Sequence, residues 1–436
     1  MAISLKYRLL VALRWNVLGT IILQGSTFFS TVVVSNLLGR AVFGEYGIIQ
    51  NTVMTFAGLA QLGISGTMTR FISEFRGKDP ARTARILGLG WSFTIWSGVL
   101  GAVILLTCIR CLAEHALRAP HLASLLHLSV IGLIFTILSG FQVGALMGLE
   151  SFAALSTAYI GSGLLSLPMF VALPWGWGLA GAVAALSLNA LLRWLFLRYH
   201  LSRELQAHQL AIVSEGAWSE YGILLSYALP GALSSFSTLP ALYFVNALLA
   251  RQPGGFSHLG MFNAVVTLRQ VLMFVPQVLN GVALPILNNL RGNGERAAFW
   301  KTFHHLILGT GVVMLLAGGL CYALGPLLLR FFGRDFLDGQ PVLFWMIAAA
   351  IVEALAVGIA QIIQSLGRMW TSFLTLAIPR DLSLICLAWQ FVPQWQARGL
   401  GMAFFFSWLL CLGCLLILTA GHLRDDRALF PKSSIE

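Results

Sequence analysis

The sequence predicts an all-α polytopic membrane protein of about twelve transmembrane helices, because apolar runs long enough to span a bilayer recur from one end of the chain to the other. Two further observations carry the same prediction. Of the 436 residues, 58% are hydrophobic and only 10% charged, against roughly 25% charged in an ordinary soluble domain, and the mean hydropathy is +0.83. Lipid is therefore the main solvent, and no stretch is left over for a soluble domain. The formal charge of +11 lies in short clusters between the apolar runs rather than in one basic domain. It reads as topology determinants, anion contacts and contacts to membrane lipids, not as a nucleic-acid surface.

Breaks at polar and Gly/Pro clusters give spans near 10–38, 43–75, 85–112, 122–148, 152–173, 178–200, 218–249, 258–290, 301–330, 341–366, 370–392 and 399–421. The first has signal-like polarity, with Lys6, Arg8 and Arg14 ahead of its apolar run, but that run continues to Leu38 without an evident cleavage site and reads as a retained helix. The longer runs exceed one span and imply tilt or extension into the interface. Basic residues then fix the orientation. Seven Lys and Arg fall on one side (Arg40, Arg110, Arg118, Arg251, Arg330, Arg334 and Arg398), Arg269 and Arg380 fall within spans, and the other eighteen of the 27 fall on the side of the termini. Among those eighteen are Arg193, Arg198 and Arg203, assigned to the segment after the sixth span. Both termini are predicted to be cytoplasmic.

The chain also repeats itself. Leu37-Leu38-Gly39-Arg40 followed by Phe43-Gly44-Glu45-Tyr46-Gly47 resembles Leu248-Leu249-Ala250-Arg251 followed by Phe256-Ser257-His258-Leu259-Gly260, and Arg76-Gly77 is echoed by Arg291-Gly292. The copies are separated by an even number of spans, so both halves insert in the same orientation. That is the arrangement of transporters built from parallel repeats. The prediction is two six-helix lobes related by a pseudo-twofold axis along the membrane normal: residues 1–200 and 218–423, with a linker at 201–217 and a cytoplasmic tail at 424–436. The linker, rich in Arg203, Glu204, Gln206, His208 and Gln209, reads as an amphipathic stretch on the membrane surface.

Polar residues inside spans are costly unless they face protein or water. On the first span Asn16, Thr20, Gln24, Thr27, Thr31 and Ser35 recur at helical spacing and fit within about 100° of arc. They form either a cavity wall or a ladder of helix–helix hydrogen bonds. In the seventh span the repeat sets Ser235, Thr238 and Asn246 against Gln24, Thr27 and Ser35, but Thr31 meets Leu242. Arg269, deep in the eighth span with no acidic residue within a turn or two, is a candidate phosphate contact, because a guanidinium holds a phosphate bidentately. The same face continues to Pro276 and Asn280. The alternative is an interhelical ion pair with Glu353 or Asp381. Those two carboxylates are candidates either for binding a coupling proton or sodium ion or for neutralising an arginine. Pro379 should kink the eleventh span beside Arg380 and Asp381. Arg14 and Arg380 are secondary anion contacts, with lipid snorkelling the alternative for Arg14. Arg70 and Glu74, four apart, are expected to pair.

Other features read as structure. Gly140, Gly144 and Gly148 form a small-xxx-small zipper, and Trp175 and Trp177 mark an interfacial belt. The pairs Cys108/Cys111 and Cys411/Cys414 have no further metal ligands nearby in the sequence. No cofactor or metal is expected.

Two segments carry a family resemblance: Ser35-Asn36-Leu37-Leu38-Gly39-Arg40-Ala41-Val42-Phe43-Gly44-Glu45-Tyr46-Gly47, and Phe262-Asn263-Ala264 continuing through Arg269 and Phe274-Val275-Pro276-Gln277 to Leu284-Pro285-Ile286-Leu287. They resemble the bacterial polysaccharide flippases, also called O-antigen or repeat-unit flippases, of the multidrug/oligosaccharidyl-lipid/polysaccharide exporter superfamily. The resemblance implies two lobes around a cationic cavity, with alternating access moving an undecaprenyl-diphosphate-linked sugar unit from the inner to the outer leaflet of the bacterial inner membrane. It also implies a place beside polysaccharide polymerase machinery, with a sodium or proton gradient as candidate coupling source. Arg269 matches that family's cation in the eighth helix. The chain departs from the related peptidoglycan-precursor flippases in having no thirteenth or fourteenth span. Two rival functions remain. A multidrug extruder needs acidic residues inside the first lobe, whereas Glu45, Glu74, Glu114 and Glu150 all lie at helix ends. A sugar polymerase or ligase needs a large outer loop carrying acid and base groups, and the outer loops are short.

Overall fold

Three of the predicted boundaries are breaks of one or two residues inside continuous helices, as a computed structural model of the chain shows. The structure describes the backbone of residues 5–224, 229–292, 294–365 and 373–424. Within these it describes the side chains except at 5–18, 229–231, 234, 281–286, 288, 292, 361–365 and 418–424. Eleven α-helices are described: α1 Leu5–Gln61, α2 Ile64–Phe75, α3 Pro80–Cys111, α4 Ala123–Gly148, α5 Phe152–Ala207, α6 Leu229–Ala250, α7 Gly255–Gly292, α8 Arg296–Ala323, α9 Gly325–Phe332, α10 Gln340–Ser365 and α11 Ile378–Arg424. In α1 the helix breaks at Gly39 (φ 73°, ψ 168°). In α5 it breaks at Trp177 and Gly178, the latter at φ 53°, ψ −131°, and in α11 at Gln396 (φ 49°, ψ −126°). An extended or left-handed residue cannot continue a right-handed helix. Each break therefore divides one long helix into two spans.

Eight helical stretches are long and apolar enough to cross a membrane. Three of them contain these breaks, and the shorter apolar helix Ser235–Ala250 adds one more. Twelve spans follow, as the hydrophobic runs predict, and the protein is a multi-pass membrane protein. The predicted span at 43–75 is interrupted at Leu62 (φ 45°) and Gly63 (φ 70°), and that at 301–330 ends at Ala323 before the short α9. Long apolar side chains such as Leu308, Leu315, Leu316 and Leu320 stand exposed along α8, and Trp175 and Trp177 are exposed at the α5 break. In water such a surface would be an aggregation liability, but against lipid it is the expected outer face.

The chain divides into two compact units, Met1–Tyr243 and Phe244–Glu436. The division falls later than the predicted linker. Helix α5 runs on to Ala207 and so takes in Arg203, Glu204 and Gln206 of the predicted linker, and a non-helical strap follows at Leu210–Ser214. The strap docks on α3 through Val213 N–H, which donates to Ala84 O at 3.2 Å. Beyond it Glu220 accepts from Arg82 Nε at 3.1 Å and from Arg85 Nη2 at 3.4 Å, while the Arg82 guanidinium stacks 4.1 Å over the Phe75 ring. Glu220→Ala should free this segment at a cost of about 1 kcal/mol. Limited proteolysis between Ala207 and Tyr221 should then run several-fold faster, with the rest of the chain cut at its usual rate.

Within unit 1, α1 packs along α5 by small residues. A Cβ on Gly163 would sit 3.0 Å from Ser26 Oγ, and one on Gly19 would sit 2.6 Å from Ser156 Oγ. The predicted glycine zipper of α4 packs on the end of α1 and on α2: Gly140 faces Gln61, Gly144 faces Ser65 and Gly148 faces Ile72. Around it Ile64, Met68, Phe141, Leu197 and Leu201 form a buried core. The predicted Arg70–Glu74 pair is not formed among the described residues. Arg70 lies 5.4 Å from the Phe71 ring centroid and Glu74 is exposed, whereas Arg76 pairs with Glu150 at 2.7 Å. Unit 2 packs α7, α8 and α10 together and α11 against α10, with Phe262 and Phe404 in ring contact at 5.8 Å.

Candidate functional site

In unit 2 the structure gathers four of the predicted site residues into two ion pairs. Arg269 on α7 pairs with Glu353 on α10. Arg380 and Asp381, neighbours on α11, pair through Nε at 2.8 Å and Nη2 at 2.6 Å. The Arg380 guanidinium also lies 5.1 Å from the Trp408 ring centroid, a cation–π contact that helps hold it. Arg269 and Arg380 are near enough for their positive charges to act on each other. Asp381 is buried and the other three are half-buried. Each arginine thus has a carboxylate close by, which is the ion-pairing alternative for Arg269, with Glu353 as its partner. Pro379 enters α11 directly after a π-turn at Phe373–Ala377. The irregularity expected from that proline therefore lies at the helix entrance rather than within it.

Asn280 is half-buried on α7, eleven residues beyond Arg269. Asn246, on α6, is buried with no hydrogen-bond partner for Oδ1. The side chains of Arg14 and Asn16 lie outside the described residues.

Unit 1 holds a cavity of roughly 150 Å³ enclosed by α1, α4 and α5, including both halves of α1 and of α5. Thr27 and Thr31 of the predicted polar stripe line it, as do Ser26, Ser30, Tyr46, Gln50, Thr136, Asn189 and Arg193. Gln24 does not line it. The Thr27 and Thr31 hydroxyls donate back to Leu23 O (2.9 Å) and Thr27 O (2.8 Å), leaving their lone pairs to accept. Ser30 Oγ and Arg193 Nε are buried without a partner. Among the described residues no acidic side chain lines the cavity. Sequence reasoning counted Arg193 as a charge outside the bilayer. The available signal was its place seven residues inside the predicted end of the sixth span.

Known structures share this architecture of long broken helices and twelve spans. An inward-facing multidrug resistance MATE family transporter of the MOP superfamily matches with a TM-score of 0.77 at 15% identity, covering 96% of this chain and 100% of that one. The lipid II flippase MurJ, in an inward closed conformation, matches with a TM-score of 0.74 at 13% identity, covering 92% of this chain and 86% of that one. A MOP superfamily transporter from Pyrococcus furiosus, described as having a binding pocket of reverse polarity, matches with a TM-score of 0.71 at 15% identity, covering 97% and 96%. At these identities the likeness establishes a shared fold. No curated protein matches in sequence. The family model for polysaccharide biosynthesis proteins matches residues 12–290, and the chain belongs to that family.

Proposed function

We propose that the protein is a flippase that moves an undecaprenyl-diphosphate-linked oligosaccharide repeat unit from the inner to the outer leaflet of the bacterial inner membrane, by alternating access and with both termini cytoplasmic. The observation that carries this reading beyond the family is the polarity of the unit 1 interior: its cavity contains an arginine and no acid. A cationic drug has no counter-ion there. Glu45 is held by His121 at 3.0 Å, Glu150 by Arg76 at 2.7 Å and Glu220 by Arg82 and Arg85. A diphosphate, by contrast, is suited to arginine, whose planar fork binds two phosphate oxygens at once.

In this reading Arg269 is the principal phosphate contact and Arg380, Arg14, Gln24, Asn246 and Asn280 assist. A phosphate arriving at Arg269 competes with Glu353 for the guanidinium. The released carboxylate is then the group that takes up a proton or sodium ion, and Asp381 beside Arg380 is a second such group. Resting ion pairs of this kind keep both arginines neutralised until cargo arrives.

Deleting the gene should leave prenyl-linked repeat units in the inner leaflet and abolish the polymer, with the wild-type gene restoring it. Arg269→Lys, which keeps the charge but loses the bidentate fork, should restore little polymer at normal protein levels, and Arg269→Ala none. Full polymer from both variants would remove Arg269 as the phosphate contact. Cysteine labelling should find positions 27 and 31 accessible to small aqueous reagents. Protection of both would count against a water-filled cavity.

A further inference from the structure

We propose that unit 1 contains an anion site of its own, in which Arg193 and Ser30 hold a phosphate-type oxyanion inside the cavity. The inference goes beyond the flippase reading and does not depend on it, because the site is defined by binding alone.

Three observations converge on it. First, Arg193 Nε and Ser30 Oγ are both buried and both lack a partner, and both residues line one cavity. A buried donor left unsatisfied is rare in a native protein and calls for an acceptor. Second, an arginine in a span is expensive without a counter-charge, yet no carboxylate lines the cavity. Arg193 forms no ion pair among the described residues. Third, the rest of the polar lining matches the oxygens of an oxyanion. Gln50 and Asn189 are half-buried and make no side-chain hydrogen bond among the described residues, which leaves two amide groups able to donate. An unpaired cation ringed by uncommitted donors, with no fixed acid, is a receptor for an anion. The guanidinium fork favours a tetrahedral oxyanion over a single-atom halide. The cavity has room for a phosphate group. The oxyanion is either free phosphate or the terminal phosphate of a prenyl-diphosphate lipid.

The test uses the purified full-length protein in nanodiscs. Phenylglyoxal modification of Arg193 is followed by peptide mass spectrometry in chloride buffer, with inorganic phosphate or farnesyl diphosphate added. At a ligand concentration twice its Kd, modification of Arg193 should slow about threefold, while that of Arg203 should not change. Ser30→Ala should require several-fold more ligand for the same protection. Protection by inorganic phosphate identifies free phosphate as a sufficient ligand, and protection by farnesyl diphosphate alone identifies the lipid headgroup. Either supports the site. The phosphate-induced rise in melting temperature, read in an Arg269→Gln, Arg380→Gln background so that the unit 2 arginines do not contribute, should disappear in Arg193→Gln and shrink in Ser30→Ala. If Arg193 does not react with the reagent, this thermal measurement decides. Lack of protection by both ligands, undiminished protection in Ser30→Ala, or a phosphate shift that survives Arg193→Gln overturns the proposal.

Discussion

Arg269→Ala should cost the protein both stability and transport, and combining Arg269→Gln with Glu353→Gln should give back only the first. The single substitution leaves Glu353 half-buried in a span with its partner gone. Removing one member of such a pair costs about 3–5 kcal/mol, because the remaining charge is uncompensated. Glu353→Gln should be nearly as damaging, since it strands Arg269 beside the positive charge of Arg380. When both charges become amides, nothing is left unpaired, and the two neutral side chains can hydrogen-bond to each other. The melting temperature of the purified double variant should therefore return most of the way to that of the wild type. Its polymer should not return, because the amides cannot hold a diphosphate. A double variant that rebuilds stability and polymer together would make the pair purely structural and would remove the flippase reading's principal contact. One that rebuilds neither would show that another group depends on the pair, with Arg380 the nearest candidate.

How much of this was legible in the sequence depends on how far apart the relevant residues are. Helix number and the break points came through because each is a local property. Hydrophobicity marks a span, and a break was placed at the Arg40, Gly176–Gly178 and Pro393–Arg398 clusters where Gly39, Gly178 and Gln396 leave helical geometry. The partner of Arg269 was narrowed to Glu353 or Asp381 but not chosen, since α7 and α10 meet only in three dimensions. On α1 the polar stripe was real, but its centre lies about 60° round the helix from the cavity wall, which runs through Leu23, Ser26, Thr27, Ser30 and Thr31. Ser26 and Ser30 were missed because a serine satisfied by helix packing and one lining a cavity look alike in sequence. Arg193 was missed for a different reason. Charge counting places a basic residue near the end of a span outside the bilayer, and only the packing of five spans around its side chain shows it facing inward.

A large effect on stability from an uncharged position should come from Gly144→Val. In a bilayer, helices gain little from hiding apolar surface from one another, so association rests on close van der Waals packing and interhelical hydrogen bonds. At Gly144 the approach is backbone to backbone: an added Cβ would lie 2.7 Å from the Cα of Ser65. No rotamer change can relieve that contact, so α2 and α4 would have to separate. Separation would also break the bond from the Thr69 hydroxyl to Gly144 O, now 3.2 Å. Overpacking costs about 1–3 kcal/mol where side chains can adjust, occasionally more; with backbone on both sides Gly144→Val should fall at or above the top of that range. Gly140 offers an internal control, because its nearest neighbour is the amide end of Gln61 at 2.7 Å, a flexible group. Gly140→Ala need only displace that amide from Thr136 O, its acceptor at 3.1 Å, at about 1 kcal/mol. Gly148→Val, facing Ile72 Cβ at 2.8 Å and Met68 O at 3.0 Å, should fall between the two. Melting temperatures of the three purified variants should therefore order Gly140→Ala above Gly148→Val above Gly144→Val. If Gly144→Val melts with the wild type, α2 and α4 are not in backbone contact, and the walls of the unit 1 cavity that depend on α4 would have to be redrawn.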